Sequence, residues 1–137
     1  MKNTIQITDL DYNRLNGMIV SMRKNNQKEY NDLLFLESEL ERAKRTNPRK
    51  ITSEFVTMNS VIEVLDCDTN KTMEIKLVYP RDANFKLGRI SVLSPLGSAL
   101  LGYSVGSEIS YQVPKGMKKM KISRIIYQPE ANGEFAL

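Results

Sequence analysis

The spacing of apolar residues changes once along this 137-residue chain, near residue 50. Before that point apolar residues recur every three or four positions, as on one face of a helix, and after it they alternate with polar residues, as in strands. Pro48 lies at the change and cannot continue a helix. The sequence therefore predicts an α+β protein with a helical part at residues 1–50 and a β part at residues 51–137.

The helical part has a well-marked beginning. Thr8 can cap a helix, and Asp9 and Asp11 suit the positive end of its dipole. The apolar face of this first helix consists of Tyr12, Leu15, Ile19 and Met22. The pattern stops at residues 24–28, which predicts a turn. It then resumes through Tyr30, Leu33, Leu36 and Leu40. Two helices joined by a short turn predict an antiparallel coiled-coil hairpin.

The β part contains five stretches with a period of two. They are Val56–Val64, Met73–Tyr79, Ile90–Leu93, Ile109–Val113 and Met120–Tyr127. One short helix is predicted between the third and fourth strands, because Ser94 can cap it, Pro95 fits its first position and Gly102 suits its left-handed stop. These elements predict a strongly bent antiparallel sheet half-wrapped on a single helix.

The residue composition excludes several classes of chemistry. The chain has no histidine, which excludes Ser-His or Cys-His nucleophile pairs and histidine metal ligands, and Cys67 is its single cysteine. We therefore expect no catalytic residue, no metal and no cofactor. A net charge of +4 predicts weak long-range attraction to nucleic acid, and we expect no sequence-specific nucleic-acid partner. The lack of a long apolar run or a signal-peptide pattern predicts a cytoplasmic protein without a membrane partner.

One segment imitates the start of a calcium-binding loop. Asp66, Asp68 and Asn70 have the right spacing, but Lys71 and Leu77 stand where such a loop needs glycine and a bidentate glutamate. The segment is therefore interpreted as a turn between two strands.

Acidic residues also lie just beyond the predicted hairpin turn. Glu29 and Asp32 are three residues apart, so they share one helix face and could hold Mg²⁺ in another protein's site. The alternative is that these acids suit the start of the second helix. Basic residues, among them Arg23, surround the pair, which favours the second interpretation.

The segment Ser94-Pro95-Leu96 carries the strongest indication of a binding site. Leu96 falls in the first turn of the predicted short helix, beside polar backbone donors, and we expect it to be partly exposed. An apolar residue beside free N–H groups is a reasonable docking point for a partner. From the chemistry alone, docking and a purely structural role remain equally open.

Several segments, in order along the chain, together resemble one protein family. The C-terminal domain of the bacterial Gre transcript-cleavage factors resembles the run ISVLSPLGSALLG at residues 90–102 with Val105-Gly106 after it. The Rnk members of that family are closer still. They resemble this chain at IQITDLD (residues 5–11), LERA (40–43), VTMNS (56–60), VYP (78–80) and YQPEANG (127–133). The resemblance therefore covers nearly the whole chain.

The resemblance implies an architecture and a partner. It implies an FKBP-like C-terminal domain that binds RNA polymerase at the rim of its secondary channel, with the hairpin directed toward that channel. The family's polymerase contact falls here on Ser94, Pro95 and Leu96. A fold of this kind does not by itself imply prolyl isomerase activity.

The chain also departs from the catalytic Gre pattern. Aligning Glu29-Tyr30 with the Glu-Tyr that follows the Gre tip places Arg23 and Asn26 where two acids would be. An arm of roughly 16 residues spans only ~24 Å, and Gre arms are longer. We therefore expect a non-catalytic monomer that competes with Gre-type factors for polymerase.

Two alternatives remain. One is a cleavage factor that uses Glu29 and Asp32. The other is an adaptor for a different protein, which would bind a surplus apolar hairpin face formed by Tyr12, Leu15, Leu33 and Leu40.

Overall fold

The computed structural model describes the backbone of residues 5–24 and 30–134 and the side chains of residues 5–22 and 35–134. The N-terminal part contains β1 (Gln6–Thr8), α1 (Asp9–Lys24), α2 (Tyr30–Arg42) and β2 (Lys44–Thr46). The remainder contains β3 (Val61–Asp66), β4 (Thr72–Val78), β5 (Arg89–Ser91), α3 (Pro95–Leu100), β6 (Glu108–Val113) and β7 (Gly116–Tyr127). The chain is thus an α+β protein, as predicted.

Helices α1 and α2 bury one face each in the protein's own core. The Oγ1 atom of Thr8 accepts a hydrogen bond from the Asp11 N–H at 3.0 Å, which confirms the predicted cap. Leu15 and Leu40 are fully buried in the same hydrophobic cluster as residues of the sheet. The interpretation of this face as surplus surface for an adaptor is therefore wrong for these two residues. The predicted turn at residues 24–28 lies almost wholly outside the described residues.

The base of the helical part is joined to the β part by a small sheet that we did not predict. Strand β1 pairs with β2 in parallel, with Ile7 opposite Arg45. The Lys44 N–H donates to the Ile5 carbonyl at 2.9 Å, and the Gln6 N–H donates to the Gly102 carbonyl at 3.0 Å. The first bond joins the two ends of the helical pair to each other, and the second joins them to the segment that follows α3.

The larger sheet has five strands in the order β5-β4-β3-β7-β6. It is mixed rather than antiparallel, because β4 and β5 pair in parallel. After β4 the chain runs back along the sheet edge through two single-turn 3₁₀ helices, Pro80–Asp82 and Phe85–Leu87. The Lys76 N–H then donates to the Gly88 carbonyl at 2.8 Å, so that β5 starts beside the middle of β4. Alternation of polar and apolar residues predicts a strand but not its direction.

The first predicted strand is shorter than expected. Residues 56–60 form an irregular turn in place of strand, because Asn59 has a left-handed backbone with φ of 67°. The Ser60 Oγ atom accepts the Thr57 N–H at 3.0 Å, which closes the turn, and β3 begins only at Val61. Irregular register between β3 and β7 at Val61/Ile62 and Glu63/Val64 accompanies the bend of the sheet.

The turn between β3 and β4 confirms the interpretation of the acidic segment. One carboxylate oxygen of Asp66 accepts the N–H groups of Asp68 and Thr69 at 2.9 and 3.3 Å. The other lies 2.7 Å from the Lys118 Nζ. Within the described part of the chain, no group of three or more His, Cys, Asp or Glu side chains is arranged to hold a metal ion.

Among residues 5–24 and 30–134, no helix combines the length and apolar character needed to cross a membrane.

Candidate functional site

The start of α3 is fixed by a network of serine hydrogen bonds. The Ser94 Oγ atom donates to the Ser91 carbonyl at 2.7 Å and accepts the Gly97 N–H at 3.0 Å. The Ser98 Oγ atom then donates to the Ser94 carbonyl at 2.9 Å. Pro95 occupies the first helical turn, where its missing N–H costs nothing. The predicted cap and proline start are confirmed, and the position of Pro95 is set by bonds on both sides of it.

Gly97 allows this helix to lie against the preceding strand end. A Cβ atom at Gly97 would come within 2.0 Å of the Ser91 carbonyl oxygen. Any side chain there would force the turn of Ser94 and Pro95 away from β5. The glycine of the Ser-Pro-Leu-Gly motif is therefore required by close packing of backbone against backbone.

Pro95 and Leu96 have opposite environments. Pro95 is exposed and Ser94 is half-buried. Leu96 is only 9% exposed and belongs to the hydrophobic core, so the expectation that it is partly exposed is wrong. The six-residue helix packs against β6, β5 and α2 and turns its leucines inward, because nearly all of its surface faces the core. Of Ser94, Pro95 and Leu96, only Pro95 is therefore an exposed residue.

The structure does not describe the side chains of the residues predicted at the hairpin tip. Asn26 and Glu29 lie outside the described residues. Arg23 and Asp32 belong to α1 and α2, but their side chains are not described. Their part in the site remains a prediction from the sequence.

A buried carboxyl at the start of α1 is a feature that we did not predict. The Asp11 Oδ2 atom accepts the Met58 N–H at 3.0 Å, which joins α1 to the turn before β3. Burial raises the pKa of Asp11 to about 7, and the nearby charge of Glu130 adds to the rise, while the bond from Met58 opposes it. The sequence alone assigns Asp11 only to the positive end of the helix dipole. Its burial is indicated in the sequence by its position three residues after the cap Thr8, between the apolar residues Leu10 and Tyr12.

The C-terminal segment holds the same turn from the other side. The Thr57 Oγ1 atom donates to the Glu130 Oε1 at 2.7 Å, and both residues are buried. The Gln128 Nε2 atom donates to the carbonyls of Thr52 and Phe55, each at 2.8 Å. The segment YQPEANG at residues 127–133 therefore has a structural role, because its polar side chains satisfy the backbone that leads into β3.

The end of α2 is tied to the segment after α3. The Arg42 Nη2 atom donates to the Tyr103 hydroxyl at 2.6 Å, while the Arg42 Nε donates to the Glu39 Oε2 at 2.5 Å. The Arg42 guanidinium also lies 5.7 Å from the centre of the Tyr103 ring. The helical pair is thereby held beside the element that presents Pro95.

Comparison with known proteins gives consistent matches for both parts of the chain. A family model described as "Transcription elongation factor, GreA/GreB, C-term" matches residues 51–127, more than half of the chain. A second, described as "Rnk N-terminus", matches residues 3–45.

Individual relatives agree with the family models. The "Regulator of nucleoside diphosphate kinase" of Escherichia coli strain K12 is 33% identical over 138 aligned residues, covering 98% of this chain and 97% of the relative. The "Transcription elongation factor GreA" of Thermodesulfovibrio yellowstonii is 34% identical over 93 residues, covering 68% of this chain and 59% of that protein.

A solved structure is also similar across most of the chain. It is the "Prokaryotic transcription elongation factor GreA/GreB from Nitrosomonas europaea", with a TM-score of 0.73 and 34% identity, covering 90% of this chain and all of that chain. Sequence and structure therefore agree that the chain belongs to the GreA/GreB transcription elongation factor family and carries the N-terminal region of its Rnk members.

Proposed function

We propose that this protein is a non-catalytic regulator of transcription that binds RNA polymerase near the rim of its secondary channel and competes there with Gre-type factors. The observation that carries the proposal is the exposure of Pro95 on a turn fixed by Ser94, within a domain of the GreA/GreB family. Membership of that family makes a transcription-associated role the starting point.

The geometry of the turn suits recognition by a large partner. A contact residue binds more tightly when its position is fixed before binding, because less conformational freedom is lost. Pro95 has a rigid ring, follows a serine with three hydrogen bonds to its Oγ and N–H groups, and precedes five buried residues of α3. A partner would therefore meet a small apolar surface that needs no rearrangement.

The non-catalytic part of the proposal is supported by the sequence of the arm. The α1 helix has 16 residues, which corresponds to about 24 Å at ~1.5 Å per residue. Arg23 and Asn26 occupy the places that the Gre resemblance assigns to acids. We therefore infer that this arm does not supply the polymerase active site with a pair of acids that could hold a second metal ion.

Competition on immobilised core polymerase tests the proposal. Biolayer interferometry would measure binding of the wild-type protein, of Pro95→Ala and of Pro114→Ala, and the displacement of a labelled Gre-type factor by each. Pro114 is the matched control, because it is also exposed but lies in the turn between β6 and β7. We expect the wild type and Pro114→Ala to displace the factor equally, and Pro95→Ala to require about tenfold more protein.

Two results would reject the proposal. One is the absence of binding by the folded wild-type protein. The other is displacement by Pro95→Ala at the wild-type concentration, which would remove the contact on which the proposal depends.

A further inference from the structure

A cleft of about 800 Å³ opens between α1 and the segment that follows β4. Its lining combines guanidinium groups, methionines and a tyrosine. The lining residues are Arg14, Met18, Met22, Asn59, Tyr79, Pro80, Arg81 and Asp82.

Two arginines and one aspartate lie in the cleft lining beside methionines of α1. Arg14 already interacts with Asp11 and with the Tyr79 hydroxyl, so a ligand carboxylate would use its remaining N–H donors. Arg14 lies on α1 and Arg81 on the facing segment, and both are exposed. Met18 and Met22 lie half-buried along α1 and pack against the hydrophobic core. The Arg81 Nε lies 3.7 Å from the Asp82 Oδ2, but exposed ion pairs of this kind contribute little to stability. The lining therefore suits a ligand that carries both negative charge and an apolar group.

The loop that continues from this wall displays apolar side chains outside the cleft lining. Phe85 and Leu87 are 84% and 65% exposed, which is unusual for large apolar residues. Their loop is nevertheless ordered, because Asn84 and Arg89 exchange two backbone hydrogen bonds of 2.9 and 3.0 Å. The Gly88 N–H closes the last turn on the Phe85 carbonyl at 3.0 Å. Apolar side chains held outward by satisfied backbone are suited to a protein interface.

The cleft and Pro95 lie at the same end of the sheet. Strands β4 and β5 run in parallel, with Val78 opposite Ser91. The Val92 N–H continues the pairing to the Val78 carbonyl at 2.9 Å. The segment that follows β4 forms the cleft wall, and the segment that follows β5 leads to Pro95. A single large partner can therefore reach both.

We propose that the cleft receives an acidic segment of RNA polymerase that carries at least one large apolar side chain. The carboxylates would pair with Arg14 and Arg81, whose planar guanidiniums bind carboxylates through two parallel hydrogen bonds. The apolar side chain would pack on Met18 and Met22, which adapt to irregular shapes. This inference rests on the proposed function and adds a second contact to that at Pro95.

The test compares two charge reversals of the full-length protein on immobilised core polymerase. Arg81→Glu changes the cleft, while Lys71→Glu makes the same change in the turn between β3 and β4, at the opposite end of β4. At ~3.3 Å per residue the two positions are roughly 20 Å apart. We expect Arg81→Glu to weaken binding about tenfold and Lys71→Glu to leave it unchanged. Added salt should weaken polymerase binding by the wild type more than binding by Arg81→Glu.

Photo-cross-linking identifies the occupant. Asp82→p-benzoylphenylalanine, in the cleft lining, irradiated in complex with polymerase, should give a cross-linked peptide rich in Asp and Glu with an apolar residue. A basic peptide, or no cross-link from a bound complex, would overturn the inference.

The outcomes separate this inference from the proposed function. Wild-type affinity in Arg81→Glu together with weakened binding in Pro95→Ala would overturn the acidic occupant and leave the proposed function standing. Loss of binding in both variants supports both proposals. A folded wild-type protein that does not bind polymerase overturns both.

Discussion

Asp11 and Met58 are 47 residues apart in sequence, yet the Asp11 carboxylate accepts the Met58 N–H at 3.0 Å in a site where Asp11 is only 1% exposed. This contact joins the first helix to the turn before β3. The protonation of one carboxyl group is therefore coupled to the attachment of the helical part to the sheet.

The pH dependence of stability should report this contact. Burial raises the pKa of Asp11 from 3.8 to about 7, so that the folded protein holds this proton over a range in which the unfolded chain has released it. The free energy of unfolding contributed by Asp11 is fully present below pH 3.8 and is lost as the pH rises toward and through 7. The size of the effect is about 1.4 kcal/mol for each pKa unit.

The substitution Asp11→Asn isolates this effect, because an amide keeps an acceptor for Met58 but does not ionise. In urea unfolding from pH 4.5 to 8, the free energy of unfolding of the variant should increase relative to that of the wild type as the pH rises. Asp68→Asn, in an exposed turn, is the control and should keep the wild-type slope. Equal slopes for the wild type and Asp11→Asn would show that the carboxyl does not titrate in the folded protein.

The same substitution at two glycines should have opposite effects on stability. Gly97→Ala places a Cβ atom 2.0 Å from the Ser91 carbonyl oxygen and should destabilise the fold by about 3 kcal/mol. Gly17→Ala, in α1, meets no atom within 4 Å and should stabilise by about 0.5–1 kcal/mol. Chemical denaturation measures both. A neutral Gly97→Ala would contradict the close approach of α3 to the strand end.

Adjacent residues of the Ser-Pro-Leu-Gly motif should separate binding from stability. Leu96→Ala removes a buried side chain and should cost about 2–4 kcal/mol of unfolding free energy. Pro95→Ala should change stability by less than about 1 kcal/mol, because the residue is exposed at the helix start. Thermal unfolding and polymerase binding, measured on both variants, test these two predictions. Similar losses of stability in the two variants would mean that Pro95 also has a packing role.

The hairpin tip gives a prediction about activity. The wild-type protein should not shorten the transcript in backtracked complexes beyond the rate of polymerase alone, and Glu29→Ala with Asp32→Ala should change nothing. A Gre-type factor in the same assay is the positive control. Transcript shortening by the wild type that disappears in the double variant would replace the proposed function with that of a cleavage factor.

Local chemistry made the start of α3 predictable. Ser94 and Pro95 have strong positional preferences at a helix start, and Thr8 has a similar preference at the start of α1. The strands β4, β6 and β7 followed from alternation, which depends only on neighbouring residues.

Features that depend on distant parts of the chain could not be predicted. The parallel pairing of β5 with β4 depends on the path of the intervening loop, and that of β1 with β2 on how the two helices return. The burial of Leu96 and Asp11 depends on what packs over them. Leucine in a first helical turn and aspartate near a helix start are both usually compatible with exposure, so their sequence neighbours favoured the wrong environment.

The contact between Ile5 and Gly102 has a consequence for synthesis on the ribosome. A Cβ atom at Gly102 would lie 3.0 Å from the Ile5 Cβ, and the neighbouring Gln6 N–H needs the Gly102 carbonyl. The first strand thus leaves the ribosome with its apolar residues exposed, because Gly102 is translated only after about three quarters of the chain. Expressed alone, the helical pair would leave Ile5 and Ile7 facing water.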